Sequence, residues 1–372
     1  MSNTTDVAII GGGVIGCSIA YQLAKRGIGS TLFEKDRFAS GASGATAGIV
    51  GPLRHIDAWV ESTREMGLQS LELFPTLASE LFDAGVDPQF RQSGILRVAR
   101  TTEYAESLRG ELIWQQELGL GVGWLNQYEV REREPEIAHD VIGGIFSPKE
   151  GYVRGKRYVD SLVHAARELG ATCLEGVEVI GLKFDGDKVI GVRTHEGTVY
   201  AEHTILATGP WTGLNDRWIN GKLPIQPAKG ERILLRKTGF IPQCPVNGFE
   251  GYIIPQLDGD LLVAATRIEN QFDEDVTATG VLKMINMAVS LFPTLAEAIY
   301  VCGRAGVRPM TPDGIPLIGP ISGKEGLSVA TGHDHVGIML SPATGVMVAD
   351  YISTGDAAPL NPYSLSRFEE SI

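Results

Sequence analysis

The run Asp6-Val-Ala-Ile-Ile-Gly-Gly-Gly-Val-Ile-Gly16 carries glycines at G-x-G-x-x-G spacing, Gly11, Gly13 and Gly16, and an acid closes the later segment Ser30-Thr-Leu-Phe-Glu34. These residue types at this spacing bind an adenine dinucleotide through its pyrophosphate. Gly11 permits a tight turn out of a strand, Gly13 lets the backbone approach the phosphates, and Gly16 lets the following helix pack on the sheet. That helix begins at Val14 and Ile15 and points its first amides at the phosphates. Glu34 follows at about the 20-residue spacing of the acid that accepts hydrogen bonds from the adenosine ribose. An acid there argues against a 2′-phosphate.

Other chemistries lack their residues. Cys17, Cys173, Cys244 and Cys302 never form C-x-x-C, so neither an iron–sulfur cluster nor a zinc site has a basis. The histidines form no H-E-x-x-H, and neither a P-loop G-x-x-x-x-G-K-[ST] nor a G-x-S-x-G nucleophile elbow occurs. No metal is expected. The 45 acidic against 32 basic side chains, a formal −13, disfavour nucleic acid or an anionic membrane surface as a partner. With no basic and apolar leader and no apolar run of spanning length, a cytoplasmic chain without a membrane span is expected.

The elements that must position these residues follow from periodicity. Val7 to Ile10 is a continuous apolar run suited to a buried parallel strand, and Val14 to Arg26 has helical spacing ended by Gly27. Ser40-Gly-Ala-Ser-Gly-Ala-Thr-Ala-Gly48 reads as a loop of small residues whose backbone comes close to the dinucleotide. Helices are expected over 57–84, 103–118, the later part of 151–170, and 276–292, with a final helix running through 352. Strands are expected at 171–178 and 188–194 around the turn Asp185-Gly-Asp187, then at 198–207, 224–236, 251–255, 261–266 and 327–331. The stretch Arg304 to Gly319 is rich in breakers. At 372 residues the chain has room for two domains. The expected class is α/β with an α+β second domain: a Rossmann-like cofactor domain (1–84, 140–212 and 303–372) and a discontinuous antiparallel-sheet substrate domain (85–139 and 213–302).

Over essentially its whole length the chain resembles the D-amino acid oxidase superfamily of flavoproteins, and within it the glycine oxidases. The resemblance rests on Gly11 to Gly16, Glu34, the Ser40 to Gly48 loop, Thr208-Gly-Pro-Trp211, Tyr252-Ile-Ile-Pro255, Ala305-Gly-Val-Arg-Pro309, Asp313-Gly-Ile-Pro-Leu-Ile-Gly319, and Gly332 with Gly337-Ile-Met-Leu-Ser-Pro-Ala-Thr-Gly345. It implies FAD, with contacts on Lys35 beside Glu34, on Ser43, Ala45, Thr46, Ala47, Gly48 and Ile49, on Val179 near the adenine, and on Thr208, Gly209 and Trp211. Gly337, Ile338, Met339 and Leu340 would meet the pyrimidine edge, where a helix beginning near Ser341 presents its positive end. Related sarcosine oxidases attach flavin through a cysteine; Gly306 occupies that place here, with Cys302 a turn's length away, so the FAD is expected to be noncovalent.

The resemblance further implies oxidation of an amine by hydride transfer from the α-carbon to flavin N5, giving an imine that water hydrolyses, with O2 as the electron acceptor and hydrogen peroxide as product. Arg308 would clamp the α-carboxylate bidentately and Tyr252 would complete the carboxylate site. The chain also departs from the glycine oxidase pattern. His335 stands in place of an arginine, Glu250 and Gly251 replace a histidine before the tyrosine, Arg267 replaces a methionine, and Arg54 with His55 follows the small-residue loop. With Ile49 these residues would line the substrate pocket, and their charges leave open a larger or N-substituted amino acid in place of glycine. A D-amino acid or hydroxyproline-type dehydrogenase, passing electrons to an acceptor other than oxygen, is the alternative. A homo-oligomer is expected only because relatives often form one.

Overall fold

Val7, Ala8, Ile9 and Ile10 are each buried, as a strand covered on both faces requires. In the computed structural model, which describes residues 3–54, 60–214, 216–219 and 221–371, they belong to the strand Thr4–Ile10 inside an eight-stranded sheet. This strand pairs in parallel with Ser30–Phe33 on one side and Gly197–Leu206 on the other. Thr172–Leu174 and Leu327–Thr331 continue the parallel run outward. The helix Val14–Lys25 leaves the first strand through the glycine turn and is buried over most of its surface. Gly155–Glu168 and the long helix Gly337–Thr354 pack against it. Ser18 Oγ donates to the Ser341 carbonyl across that contact, at 2.8 Å.

The second sheet has nine strands. Gln226–Arg236 lies between Ile299–Met310 and Asp260–Ala264, antiparallel to both, and Tyr252–Pro255 adds beyond Asp260–Ala264. Val246–Asn247 pairs in parallel with Ile95–Ala99, so this sheet is mixed, though mostly antiparallel. Gly143–Ser147 and Ile299–Met310 both pair within it, beyond the boundaries at 140 and 303 that the sequence led us to expect.

Several elements differ from the sequence expectation. The breaker-rich segment contributes to a strand of 12 residues, Ile299–Met310. Its glycine at 306 serves close approach, since a Cβ there would stand 2.6 Å from the Ala45 Cβ, and Pro309 faces Pro227, a pairing without hydrogen bonds that needs no amide from either. The last long helix starts at Gly337, four residues before Ser341. Pro342 lies inside it, and the Ser341 hydroxyl donates to the Ile338 carbonyl that Pro342 cannot reach, at 2.8 Å. The partner of Lys188–Thr194 is Val179–Asp185, and 171–178 keeps only the short strand Thr172–Leu174. Ala42–Ala45 forms one helical turn within the small-residue loop. The helix expected from 57 is Glu61–Asp83, and His55 together with 57–59 lies outside the described residues.

One helical stretch, Asp334–Thr354, does have the length and composition of a membrane span, with a hydropathy of 1.3. It is a core helix, however, packed on Val14–Lys25 and Glu61–Asp83, with Met339, Leu340, Ala343, Val348 and Ala349 buried.

Candidate active site

The two sheets meet around a cavity of about 600 Å³. At its dinucleotide side the chain leaves Ile10 through Gly11, whose φ of 113° brings the backbone against the Ala207 carbonyl and leaves no room for a Cβ. The small-residue loop is tied to the helix that follows, because Ser43 Oγ accepts the Val14 amide at 2.9 Å. The N-cap, Gly13, supplies no side-chain cap, and the first turn holds no acid. Glu34 is oriented by two backbone amides, from Gly12 at 2.7 Å and Asp36 at 2.9 Å. Lys35 stacks over Trp211, its Nζ 4.7 Å from the ring centroid.

Gly11, Gly13, Val14, Ile15, Glu34 and Lys35 all line the cavity. Ser43, Ala45, Thr46, Ala47 and Ile49 line it from the small-residue loop and the strand after it. Val179, Thr208, Gly209 and Trp211 contribute, as do Gly337, Ile338 and Met339. Three expected residues do not line it. Gly16 packs under the Gly11 carbonyl, Gly48 abuts the Val153 carbonyl with φ 75°, and Leu340 is wholly within the core. The helix Gly337–Thr354 likewise has no side-chain cap and no acid in its first turn. The N-terminal ends of two helices, at Gly13 to Ile15 and at Gly337 to Met339, therefore line the same space, which suits a ligand with phosphates and a ring that gains negative charge. The residues present fit FAD.

The second sheet supplies the other half of the lining. Arg308 is part-buried, its guanidinium opening onto the cavity, and its hydrogen bond runs from Nη1 to the Thr266 carbonyl at 3.3 Å. Burial lowers its pKa, and the Asp334 charge only partly offsets this. Tyr252 also lines the cavity, beneath Arg54, whose Cζ lies 5.3 Å from its ring centroid. Burial works against the Arg54 charge, but Tyr252, Tyr104 and Glu111 together outweigh it, so its pKa is raised. Arg267 is committed to carboxylates: Nη1 donates to Asp334 Oδ2 at 2.7 Å and Nε to Glu269 Oε1 at 3.4 Å. His335 Nδ1 meets the same Asp334 Oδ2 at 2.9 Å. Glu250 lines the cavity from an exposed position.

Sequence reasoning overlooked Asp334 and His333. Asp334 stands at φ 44°, an unusual conformation for a residue with a side chain. Burial works to raise its carboxyl, but His335 and Arg267 hold it down at about 2. His333 is buried, its Nε2 3.0 Å from Thr344 Oγ1, and burial alone takes it down to about 3, so it stays neutral. A signal was present: Gly332-His-Asp-His335 puts three ionisable groups in a row directly after a buried strand.

Residues 6–351 match the family DAO, described as FAD dependent oxidoreductase, and the chain belongs to that family. It is 35% identical over 371 residues to the glycine oxidase of Geobacillus kaustophilus (strain HTA426), covering 99% of this chain and 98% of that one. The crystal structure of glycine oxidase from Geobacillus kaustophilus matches with a TM-score of 0.91, over 98% of this chain and 99% of that chain. Glycine oxidase from Bacillus cereus ATCC 14579 matches with a TM-score of 0.90 at 33% identity, over 98% and 99% of the two chains. L-proline dehydrogenase from P. horikoshii matches at 25% identity and a TM-score of 0.89, over 100% of this chain and 99% of that one. The chain is an enzyme, an FAD-dependent oxidoreductase of the amino acid oxidase class, and its mixed α/β fold is the one these oxidases share.

Proposed function

We propose that this enzyme oxidises the amine of glycine or of another small or N-substituted amino acid and passes the electrons to oxygen. One observation carries the reading. Arg308 opens onto the cavity with a single backbone hydrogen bond and, among the described residues, no carboxylate in a salt bridge with it. A guanidinium withdrawn from water without a paired carboxylate is costly, and a substrate α-carboxylate held by two parallel N–H···O bonds removes that cost. The names of the glycine oxidase relatives agree with this reading.

Bound FAD would accept the two electrons and the hydrogen that leave the α-carbon. The chain's own residues do the positioning. Arg308 fixes the carboxylate, and with it the direction of the α C–H bond; Tyr252 donates its hydroxyl to the same carboxylate. His333, neutral over the working range, does not compete as a cation. The substrate loses two electrons and two protons to become an imine, which water splits to an α-keto acid and an amine. Oxygen takes up the two electrons and two protons as hydrogen peroxide.

In this reading FAD is held noncovalently by the cavity-lining residues of the first sheet and the small-residue loop. Gly306 packs on that loop, and the Cys302 thiol is exposed, away from the cavity lining. The first sheet with its helices forms the cofactor domain, and the nine-stranded sheet forms the substrate domain. The test is an anaerobic titration of the purified holoenzyme with glycine, sarcosine, other N-alkylglycines, D-amino acids and hydroxyproline isomers, followed by air. Flavin bleaching that reverses rapidly in air with peroxide formation supports the oxidase. Bleaching that persists in air favours a dehydrogenase, and no bleaching by any of these compounds rejects the substrate class.

A further inference from the structure

Four arginines line the cavity: Arg54, Arg232, Arg267 and Arg308. Two are spent on the protein itself. Arg232 donates from Nε to the Ala45 carbonyl at 3.1 Å and from Nη2 to the Gly44 carbonyl at 3.3 Å, holding the small-residue loop. Arg267 is neutralised by Asp334 and Glu269. Arg308 and Arg54 are not paired: among the described residues neither takes part in a salt bridge, although Asp334 favours the charge of the first and Glu111 that of the second from a distance, and Glu250, the nearest acid in sequence to Tyr252, pairs with neither. The Tyr252 ring steadies the Arg54 guanidinium without cancelling its charge.

Arg54 is also held in place through its neighbour. Leu53 is fully buried, its amide donates to Glu150 Oε1 at 2.8 Å, and its carbonyl accepts from Gln115 Nε2 at 3.2 Å. Both partners are themselves buried. An arginine presented from such an anchored backbone is preorganised rather than sweeping through solvent.

Arg308 and Arg54 stand over different strands of the second sheet. Arg308 leans over Gly230 of the strand Gln226–Arg236, while Tyr252, under Arg54, lies on the second strand beyond it, past Asp260–Ala264. The strands beneath them are thus two spacings apart, on the order of 10 Å across the sheet. Glycine, with a single carboxylate, occupies one guanidinium and leaves the other without an anion.

Building on the reading of Arg308 above, we propose that Arg54 recognises a second carboxylate, and that the substrate is an amino acid carrying one on its side chain or on its nitrogen. The oxidised bond is the same α C–N bond, and the electron balance is unchanged. Arg54 is thus a specificity-determining residue of the pocket.

The test uses the purified holoenzyme and unreactive ligands, with the change in flavin absorption as the binding signal. Acetate probes the Arg308 site alone; malonate and succinate probe both. The expected result is that a dicarboxylate binds about tenfold or more tighter than acetate, that Arg54→Met abolishes this preference with far less effect on acetate, and that Arg54→Lys keeps part of it. Absence of a dicarboxylate preference in the unaltered enzyme overturns the proposal, as does its survival in Arg54→Met. The underlying reading fails separately, if Arg308→Ala leaves acetate binding unchanged. Turnover then separates the two sources: faster oxidation of D-aspartate than of glycine places the second carboxylate on the side chain, and faster oxidation of N-carboxymethylglycine places it on the nitrogen. Slower oxidation of both than of glycine overturns the substrate class.

Discussion

The guanidinium of Arg308 lies directly over Gly230, on the adjacent strand. A Cβ at position 230 would overlap Nη2 and Cζ of Arg308 and stand 2.8 Å from Nη1. Gly230 is thus the space into which the carboxylate clamp folds, and the flexible end of the arginine is what an added methyl would displace. Gly230→Ala is expected to lower kcat/KM for amino acid substrates by about tenfold or more, mainly through KM, because a bidentate pair misplaced by a fraction of an ångström loses much of its bonding. Flavin content should be unaffected. Steady-state kinetics on the flavin-loaded variant test this; an unchanged KM means that Arg308 does not hold the carboxylate in this pose.

Gly306 makes a second close approach, this time to the loop facing the dinucleotide. Its missing Cβ would stand 2.6 Å from Ala45 Cβ and 3.1 Å from Ala42 Cα, atoms of a backbone turn that cannot rotate away. Gly306→Ala is expected to push that turn toward the cavity and weaken FAD binding by about tenfold. Dialysis against potassium bromide followed by FAD titration of the apoprotein measures it. Equal affinity in both proteins removes the loop from the cofactor site.

How much of this was legible in the sequence depends on whether a residue acts locally. The glycine fingerprint, Glu34 and the helix ended by Gly27 are local signals; the strand, the glycine turn and the helix form where they were expected, with Glu34 at the end of the neighbouring strand. The strand Ile299–Met310 was hidden because glycine and proline usually mark turns; here they answer to neighbours far away in sequence, Ala45 and Pro227. The early start of the last long helix was hidden for a related reason, since the rescue of Pro342 depends on the Ser341 hydroxyl. Which arginines remain free to bind an anion cannot be read from spacing at all. Arg267 and Arg54 look alike in sequence, and only the positions of Asp334 and Glu269 separate them.

Glu150 gives the fold a pH dependence. Burial pushes its carboxyl up to about 7, against the Leu53 amide and the Arg97 charge, which favour ionisation. The folded pKa is raised above the value of about 4.3 in an unfolded chain, so the contribution to stability is full below about pH 4 and is lost as pH rises through about 7. From pH 5 to pH 8 the loss is on the order of 1–3 kcal/mol. Glu150→Gln keeps an acceptor for the Leu53 amide and removes the charge. Its thermal midpoint should exceed that of the unaltered protein at about pH 8 and change less between pH 5 and 8. A lower midpoint at pH 8 shows instead that the ionised carboxylate stabilises the fold beside Arg97.

Asp334 works in the opposite sense. Its folded pKa is depressed to about 2, so its stabilising contribution is present above its unfolded value of about 3.9 and is lost as pH falls toward 2. At neutral pH it is ionised, shared between Arg267 and His335, and close enough to Arg308 to favour that residue's charge. Asp334→Asn should therefore do two things at once. It removes the counter-charge of Arg267, and because that arginine is partly solvated the expected loss of stability is modest, about 1 kcal/mol. It also removes a negative charge facing the carboxylate site, so acetate and substrate carboxylates should bind severalfold more tightly. Thermal unfolding and acetate titration on the same preparation check both parts. A drop in stability with weaker acetate binding would mean that Asp334 acts by shaping the loop at φ 44°, and not by its charge.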